Sequence, residues 1–474
     1  MDLHRPSVGS FFALVTWIVL VTAPPSANVT WAAGANHASH NGNTQLSLPQ
    51  VIAIAVARNL RMADSRLAVR EREHQRREAF SDFLPSINLQ YTAIADRYQN
   101  SGFIEELKGQ QNARWTDRGN PLKGEGLLPY YPYRIDPYRN FTLTAALTQP
   151  LFTGGKLLDD YKYAQLGLDY QAIQYDVDRQ DLILDVTEAY YQLIQGQKEL
   201  EVAESAIRAL EAVRYQSTQF FEAGTVAKVD VLSTEGQLAQ ARVQKTQALA
   251  DIEKAKATLS FLLRYPQEAP IKVVQDIAYR PNPYRIPEIY ATAAASRPEI
   301  RQANISVDQA LALIKSSKAD LLPSISLQVQ GTRINDDWNP FDPEGVNDWQ
   351  VQGLFTWAFD MFRSRETVKE RRATEARAFV AREQLVEQVM EEVKSAYVDM
   401  KRSESDISNY RSSVDYNREN FRVVQQRYKE TWATYIEVLD AQRQLSLAEG
   451  NYYTSLIGYR INKAILERRM GILK

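Results

Sequence analysis

The sequence predicts a mainly α-helical protein with a membrane-type β component, built from a duplicated helix–strand–strand–helical-hairpin unit. Three observations predict it: an internal repeat, short alternating segments set between helical ones, and heptad-spaced runs too long for a globule.

The repeat comes first. Pro49 to Ala93 aligns with Pro287 to Gly331 at a constant offset of 238 residues; Pro49, Ala55, Pro85, Ser86 and Leu89 meet Pro287, Ala293, Pro323, Ser324 and Leu327. Further along, the offset is 207, where Ala189-Tyr190, Val231-Leu232 and Gln237-Leu238 meet Ala396-Tyr397, Val438-Leu439 and Gln444-Leu445. Two long ungapped offsets mark one supersecondary unit used twice. The first repeat is placed at 34–264 and the second at 287–474, with a linker at 265–286; the 31-residue difference assigns the first repeat a longer, tyrosine-rich insertion at about 99–139.

Each repeat switches from helical to alternating periodicity and back. Ile87, Leu89 and Tyr91 alternate with Asn88, Gln90 and Thr92; Phe141, Leu143 and Leu147 with Thr142, Thr144 and Thr148; Ile325, Leu327 and Val329 with Ser326, Gln328 and Gln330. Trp349, Val351 and Phe355 flank Gln350 and Gln352. Strands are expected at about 86–98, 140–151, 324–334 and 349–359. Their lengths suit tilted membrane strands with one face to lipid and one to water, although a half-buried soluble sheet has the same pattern. Four strands are too few to close a barrel, and an open edge facing lipid leaves backbone groups unsatisfied. In a membrane, several chains must therefore share one barrel; three give twelve strands.

The remaining sequence reads as long helices. Val186, Ala189, Leu193, Gly196, Leu200, Ala203, Ile207 and Leu210 keep heptad spacing, and the same phase recurs 207 residues on. Small residues in such a seam allow close helix approach. A returning seam runs through Leu238, Ala241, Ala248, Ile252, Ala255 and Leu259. Helical hairpins are expected at about 155–264, with a tip near 224, and 362–470, with a tip near 431. A helix from Gly155 to Gly224 is roughly 100 Å long at about 1.5 Å per residue, which suits a tube, fibre or spacer.

At the N-terminus, Arg5 and the short apolar run Phe11 to Val21 read as a secretory leader over 1–33, with cleavage expected between residues 23 and 35. The longest later apolar run, Val51 to Ala57, is too short for a membrane helix. A net charge of -2 gives no electrostatic case for nucleic acid, and the absence of cysteine excludes thiolate chemistry and disulfides. Only His74 lies in the body of the chain, and phosphate loops, HExxH and nucleophile elbows are missing. No cofactor, metal site or catalytic residue is expected. The acidic loop Asp336 to Glu344 lacks the glycine of a calcium loop and reads as a solvated turn.

Several motifs carry a family resemblance. Phe83-Leu84-Pro85-Ser86 and Leu322-Pro323-Ser324 open strands; Thr148-Gln149-Pro150-Leu151-Phe152-Thr153-Gly154-Gly155 leads from a strand into a helix. Ala223 to Leu232 and Tyr435 to Gln442 form the tips. Together these resemble the TolC family of outer-membrane efflux proteins, over nearly all of the chain after about residue 46. The resemblance implies a homotrimer with a shared 12-stranded β-barrel in outer-membrane lipid and an α-barrel tunnel in the periplasm. A periplasmic adaptor and an inner-membrane pump of RND, ABC or MFS type are the implied partners. The implied function is a passive exit duct for efflux or type I secretion, not an enzyme. A non-conducting trimeric coiled-coil stalk is the alternative.

The resemblance also points to site residues. Glu437 and Asp440, three apart on one helical face, match acidic positions that narrow the periplasmic entrance; a solvated face with Asp440 paired to Arg443 is the plainer reading. Gly224, Thr225, Asp230, Thr431 and Trp432 are the candidates for tip contacts and adaptor docking. Ala433 stands where the family can carry a locking arginine, so a closed state needs another link, with Arg427 nearby.

Overall fold

The computed structural model describes residues 45–96, 138–268, 270–281, 284–335, 338–339, 345–358 and 360–474. The leader, residues 99–137 of the insertion and most of the acidic loop lie outside them. The elements in order are α1 (Leu48–Arg58), α2 (Leu60–Ser81), β1 (Ser86–Asp96), β2 (Tyr138–Phe152), α3 (Lys156–Glu222), α4 (Lys228–Leu263), α5 (Ile286–Ser296), α6 (Pro298–Ala319), β3 (Ser324–Asn335), β4 (Val346–Thr356), α7 (Met361–Lys429) and α8 (Tyr435–Arg469). The duplication is literal: α5 and α6 begin and end 238 residues after α1 and α2, and the ends of α7 and α3 differ by 207.

The described residues form two compact units, one within 78–158 and 315–365, the other from 45–77 and within 159–314 and 366–474. The first is a four-stranded antiparallel sheet in the order β1-β2-β3-β4. Its register sorts the faces. Ile87, Leu147, Val329 and Val351 lie in one row across the strands; the neighbouring rows read Ser86, Thr148, Gln328, Gln352 and Asn88, Ala146, Gln330, Gln350. Side chains one residue apart point to opposite faces, so one face is apolar and the other polar. On the polar face Gln352 Nε2 donates to Gln328 Oε1 at 2.6 Å. β4 starts at Val346, ahead of the expected 349, because Val346 to Asp348 still pair with Ile334 to Thr332. At the β2–α3 junction Gly154 has φ +65°, and a Cβ there would sit 2.9 Å from the Ala319 carbonyl oxygen; only glycine fits.

The second unit is helical. Its core joins buried α3 residues such as Val186, Leu193 and Ile194 to Ile252 and Leu259 of α4 and Val51 and Ala55 of α1. The second repeat does the same with Val393 and Met400 of α7, Leu466 of α8, and Ile289 and Ala293 of α5. The α3–α4 seam is tight at Gly196, where a Cβ would meet Ile252 Cγ1 at 3.0 Å. Among the described residues, no helix is long and apolar enough to cross a membrane.

Where α5 meets α6, Arg297 sits buried and donates to Glu392 at 2.6 Å, Glu299 at 3.2 Å and the Arg469 carbonyl at 3.4 Å. Arg468 donates to Asp181 at 2.6 Å and Glu299 at 2.8 Å. This network ties α3, α6, α7 and α8 together. In the first repeat Asn59 holds the equivalent place and donates to the Leu262 carbonyl at 2.9 Å.

The carboxyls divide by sign. Burial opposes ionisation of Glu392, but hydrogen bonds from Arg297 and Gln388 hold it below the ordinary 4.5. Burial likewise opposes ionisation of Glu404, yet Lys401 and Tyr279 hold it low. Burial pushes Glu467, Asp185 and Glu188 up. A lowered carboxyl contributes stability above its unfolded pKa and loses it as pH falls through its folded value. A raised one contributes below its unfolded pKa and loses that contribution as pH rises through its folded value. Stability, read as the urea midpoint, is therefore expected to rise on mild acidification from neutrality as the raised groups take up protons. It should then fall below about pH 4.5 as Glu392 and Glu404 do. A midpoint that declines steadily from pH 7 contradicts this assignment.

Candidate functional site

The hairpin tips gather every sequence-predicted site residue. Both turns are built alike. At the first, Thr225 N–H donates to the Phe220 carbonyl and Gly224 N–H to the Phe221 carbonyl, both at 2.9 Å; at the second, Trp432 N–H donates to the Arg427 carbonyl and Thr431 N–H to the Tyr428 carbonyl, at 2.8 and 3.1 Å. These are paired six-to-one and five-to-two closures of a helix C-terminus, which require one left-handed residue. Gly224 takes it at φ +73°, with nothing near its Cβ position. Thr431 takes it at φ +65°, an uncommon conformation for a β-branched residue. Trp432 is 78% exposed.

The helices leaving the turns begin differently. Ala227 is the N-cap of α4 and offers no side-chain cap. Thr434 caps α8 in a reciprocal box: Glu437 N–H donates to Thr434 Oγ1 at 3.3 Å, and Thr434 N–H donates to Glu437 Oε2 at 2.9 Å. Glu437 thus spends one carboxylate oxygen on the helix start, where the macrodipole favours it. Arg443 donates to Asp440 at 2.8 Å, the plainer pairing expected for this face. Both carboxylates lie in the first two turns of α8. Asp230 occupies the matching place in α4, and the Thr234 hydroxyl donates to its carbonyl at 2.9 Å.

A contact between the two hairpins was missed by reasoning from the sequence. The hydroxyls of Ser217 on α3 and Tyr428 on α7 lie 2.9 Å apart in a buried setting, and Phe220 meets the Tyr428 ring edge-on at 5.6 Å. Val213, Val438 and Leu439 pack in the same cluster, with Phe421, Val424, Ala433 and Tyr435. Burial, and then the Asp230 carboxylate, push the Tyr428 hydroxyl up, so it stays neutral as a hydrogen-bonding group. The signal lay in the repeat: 207 residues away the counterparts are Phe221 and Val424, neither with a hydroxyl. No group of potential metal ligands occurs among the described residues.

Above the tips, α3, α4 and α8 enclose a groove of about 350 Å³ edged by Gln237, Gln240, Gln244, Gln442 and Ser446. Val202, Ala203, Ala206, Leu210, Ala241 and Leu439 also line it, so the groove is mostly apolar with hydrogen-bonding glutamines along it.

Residues 51–263 and 289–469 match the family model described as outer membrane efflux protein, and the chain belongs to that family. It is 25% identical over 293 residues to the toluene efflux pump outer membrane protein TtgF of Pseudomonas putida, covering 61% of this chain. The chain spans 60% of that relative's length. It is 23% identical over 348 residues to outer membrane protein TolC of Escherichia coli, covering 69% of this chain and 68% of that one. Its fold is similar to that of the Campylobacter jejuni CmeC outer membrane channel, with a TM-score of 0.73 over 90% of this chain and 85% of that one, at 16% identity.

Proposed function

We propose that the chain is one protomer of a homotrimeric outer-membrane channel, the passive exit duct of a tripartite efflux or type I secretion system. The observation that carries this reading is the two-faced sheet of four strands with β1 and β4 as open edges. An apolar face suits lipid, a polar face suits a water-filled lumen, and the edges must pair with other copies before they can enter hydrocarbon. Three copies give a closed barrel of twelve strands. The two hairpins of each copy then line a periplasmic tunnel, opened at its tips by an adaptor and an inner-membrane pump of the RND, ABC or MFS type. The adaptor docks at Gly224, Thr225, Asp230, Thr431 and Trp432.

The mass of the detergent-extracted particle, by light scattering corrected for bound detergent, tests this reading. Three chains are expected. A monomer stable in detergent would leave open strand edges and turn the reading to a stalk or a soluble coiled-coil protein.

Glu437 and Asp440 form the entrance. Threefold symmetry brings six carboxylates together, a ring that draws cations and repels anions. Glu437→Ala with Asp440→Ala is expected to weaken block by multivalent cations in single-channel recordings at least tenfold. Unchanged block removes both residues from the entrance.

The Ser217–Tyr428 bond holds the two hairpins of a copy together near that entrance. Tyr428→Phe strands the buried Ser217 hydroxyl, at about 1–3 kcal/mol, and is expected to raise the open fraction of the channel. Ser217→Ala in the same background should then add little, since the bond is already gone. Two additive effects would show that the hydroxyls act separately.

A further inference from the structure

The duplication creates a pairing problem. Each helix of one hairpin has two acceptable partners: its own, and the corresponding helix of the other hairpin. The apolar seams do not discriminate. Val186, Leu193, Leu238, Ala241 and Leu259 are buried in the first hairpin, and their counterparts Val393, Met400, Leu445, Ala448 and Leu466 are buried in the second.

The charges beside the seams do. In the first hairpin Glu211 of α3 pairs with Arg242 of α4 at 3.6 Å. The residues 207 positions on are Arg418 of α7 and Glu449 of α8, paired at 3.0 Å. Both signs are reversed and the pair is kept. A second pair in the first hairpin, Glu204 with Lys245 at 2.9 Å, has Arg411 and Tyr452 as its counterparts. α3 therefore presents glutamate where α7 presents arginine, and α4 presents cations where α8 presents glutamate or a neutral ring. If α3 met α8, Glu211 would face Glu449. If α7 met α4, Arg418 would face Arg242 and Arg411 would face Lys245. Three attractive contacts become three repulsive ones.

We infer that this sign reversal is a pairing code, which directs each helix to its own hairpin in a chain that holds two near-copies of the same one. Charges flanking a coiled-coil seam set partner choice in this way, through repulsion in the wrong pairing as much as attraction in the right one. Each exposed pair is individually weak, but all contacts change sign together on exchange. The inference needs only the two hairpins of one chain and stands apart from the channel reading.

The test swaps the sign of one hairpin. Arg418→Glu with Glu449→Arg leaves every native pair attractive, so the native state should unfold at the parent's urea midpoint. It also makes two of the three exchanged contacts attractive. Refolded from urea into detergent, this variant is expected to yield about three- to tenfold fewer native particles, scored by the parent's protease-resistant fragments. Adding Glu211→Arg and Arg242→Glu restores opposite polarity between the hairpins and should restore the yield. A hairpin-swapped variant that refolds like the parent, or a fourfold variant that stays impaired, overturns the code. A variant whose native midpoint drops also overturns it, because the residues then act through native contacts alone.

Discussion

Arg297→Met is expected to destabilise the helical unit by about 3 kcal/mol and to lower its thermal midpoint by on the order of 5 °C. The side chain is 5% exposed and serves three acceptors: Glu392, Glu299 and the Arg469 carbonyl. Replacing it with an apolar residue of similar length keeps the volume and removes the charge. Glu392 then keeps Arg469 at 3.2 Å and Glu299 keeps Arg468 at 2.8 Å. Those remaining partners hold the cost toward the low end of the range for a broken buried pair. Lysine should not rescue the site, since one ammonium cannot reach two carboxylates and a carbonyl in a fixed fork. In an Arg297→Met background, Glu392→Gln should cost much less than it does alone. Equal costs in both backgrounds would mean that the two groups do not interact.

This cluster also shows where the sequence stops being legible. The strands could be read because apolar and polar residues alternate from Ile87 to Thr92 and from Phe141 to Thr148, and a period of two has one structural meaning. The hairpins could be read because a heptad phase survives from Val186 to Leu210 and recurs 207 residues later. The family model matches the same two stretches. Arg297, Arg468 and Glu392 carry no such signal. Charged residues are mostly solvated, and their burial depends on the ends of α5 and α8 meeting the middle of α7 at Glu392. The tip is intermediate. Thr434-x-x-Glu437 is a capping box in the sequence itself, but a carboxylate near a tip has two roles, and spacing alone does not choose between a helix start and an entrance ring. The Ser217–Tyr428 bond joins residues 211 positions apart; only comparison of the repeats marks them as polar where their counterparts are not.

The repeats also make the four helix ends into a controlled experiment, and Gly471→Ala is its most damaging variant. Each hairpin helix ends in the same closure with one left-handed residue, and the glycine alternates. Gly224 and Gly471 hold it at φ +73° and +74°, while Thr431 and Arg264, their counterparts, hold it at φ +65° and +54°. The conformation itself costs a non-glycine residue about 1 kcal/mol, a cost that Thr431 and Arg264 already carry. Crowding separates the sites. A Cβ on Gly224 meets nothing within 4 Å, whereas one on Gly471 would lie 2.7 Å from the Arg297 Cα and 2.8 Å from the Ser296 carbonyl oxygen. Both are backbone atoms and cannot turn aside. Gly471→Ala is therefore expected to cost about 2–4 kcal/mol, through strain plus a forced shift at the α5–α6 junction that also pulls Arg297 off its carboxylates. Gly224→Ala should cost about 1 kcal/mol, and Thr431→Gly and Arg264→Gly should each stabilise by up to about 1 kcal/mol. Urea unfolding of the four variants gives the order directly. If Gly471→Ala costs no more than Gly224→Ala, the junction is looser than its contacts indicate, and Arg297 is held by its charges alone.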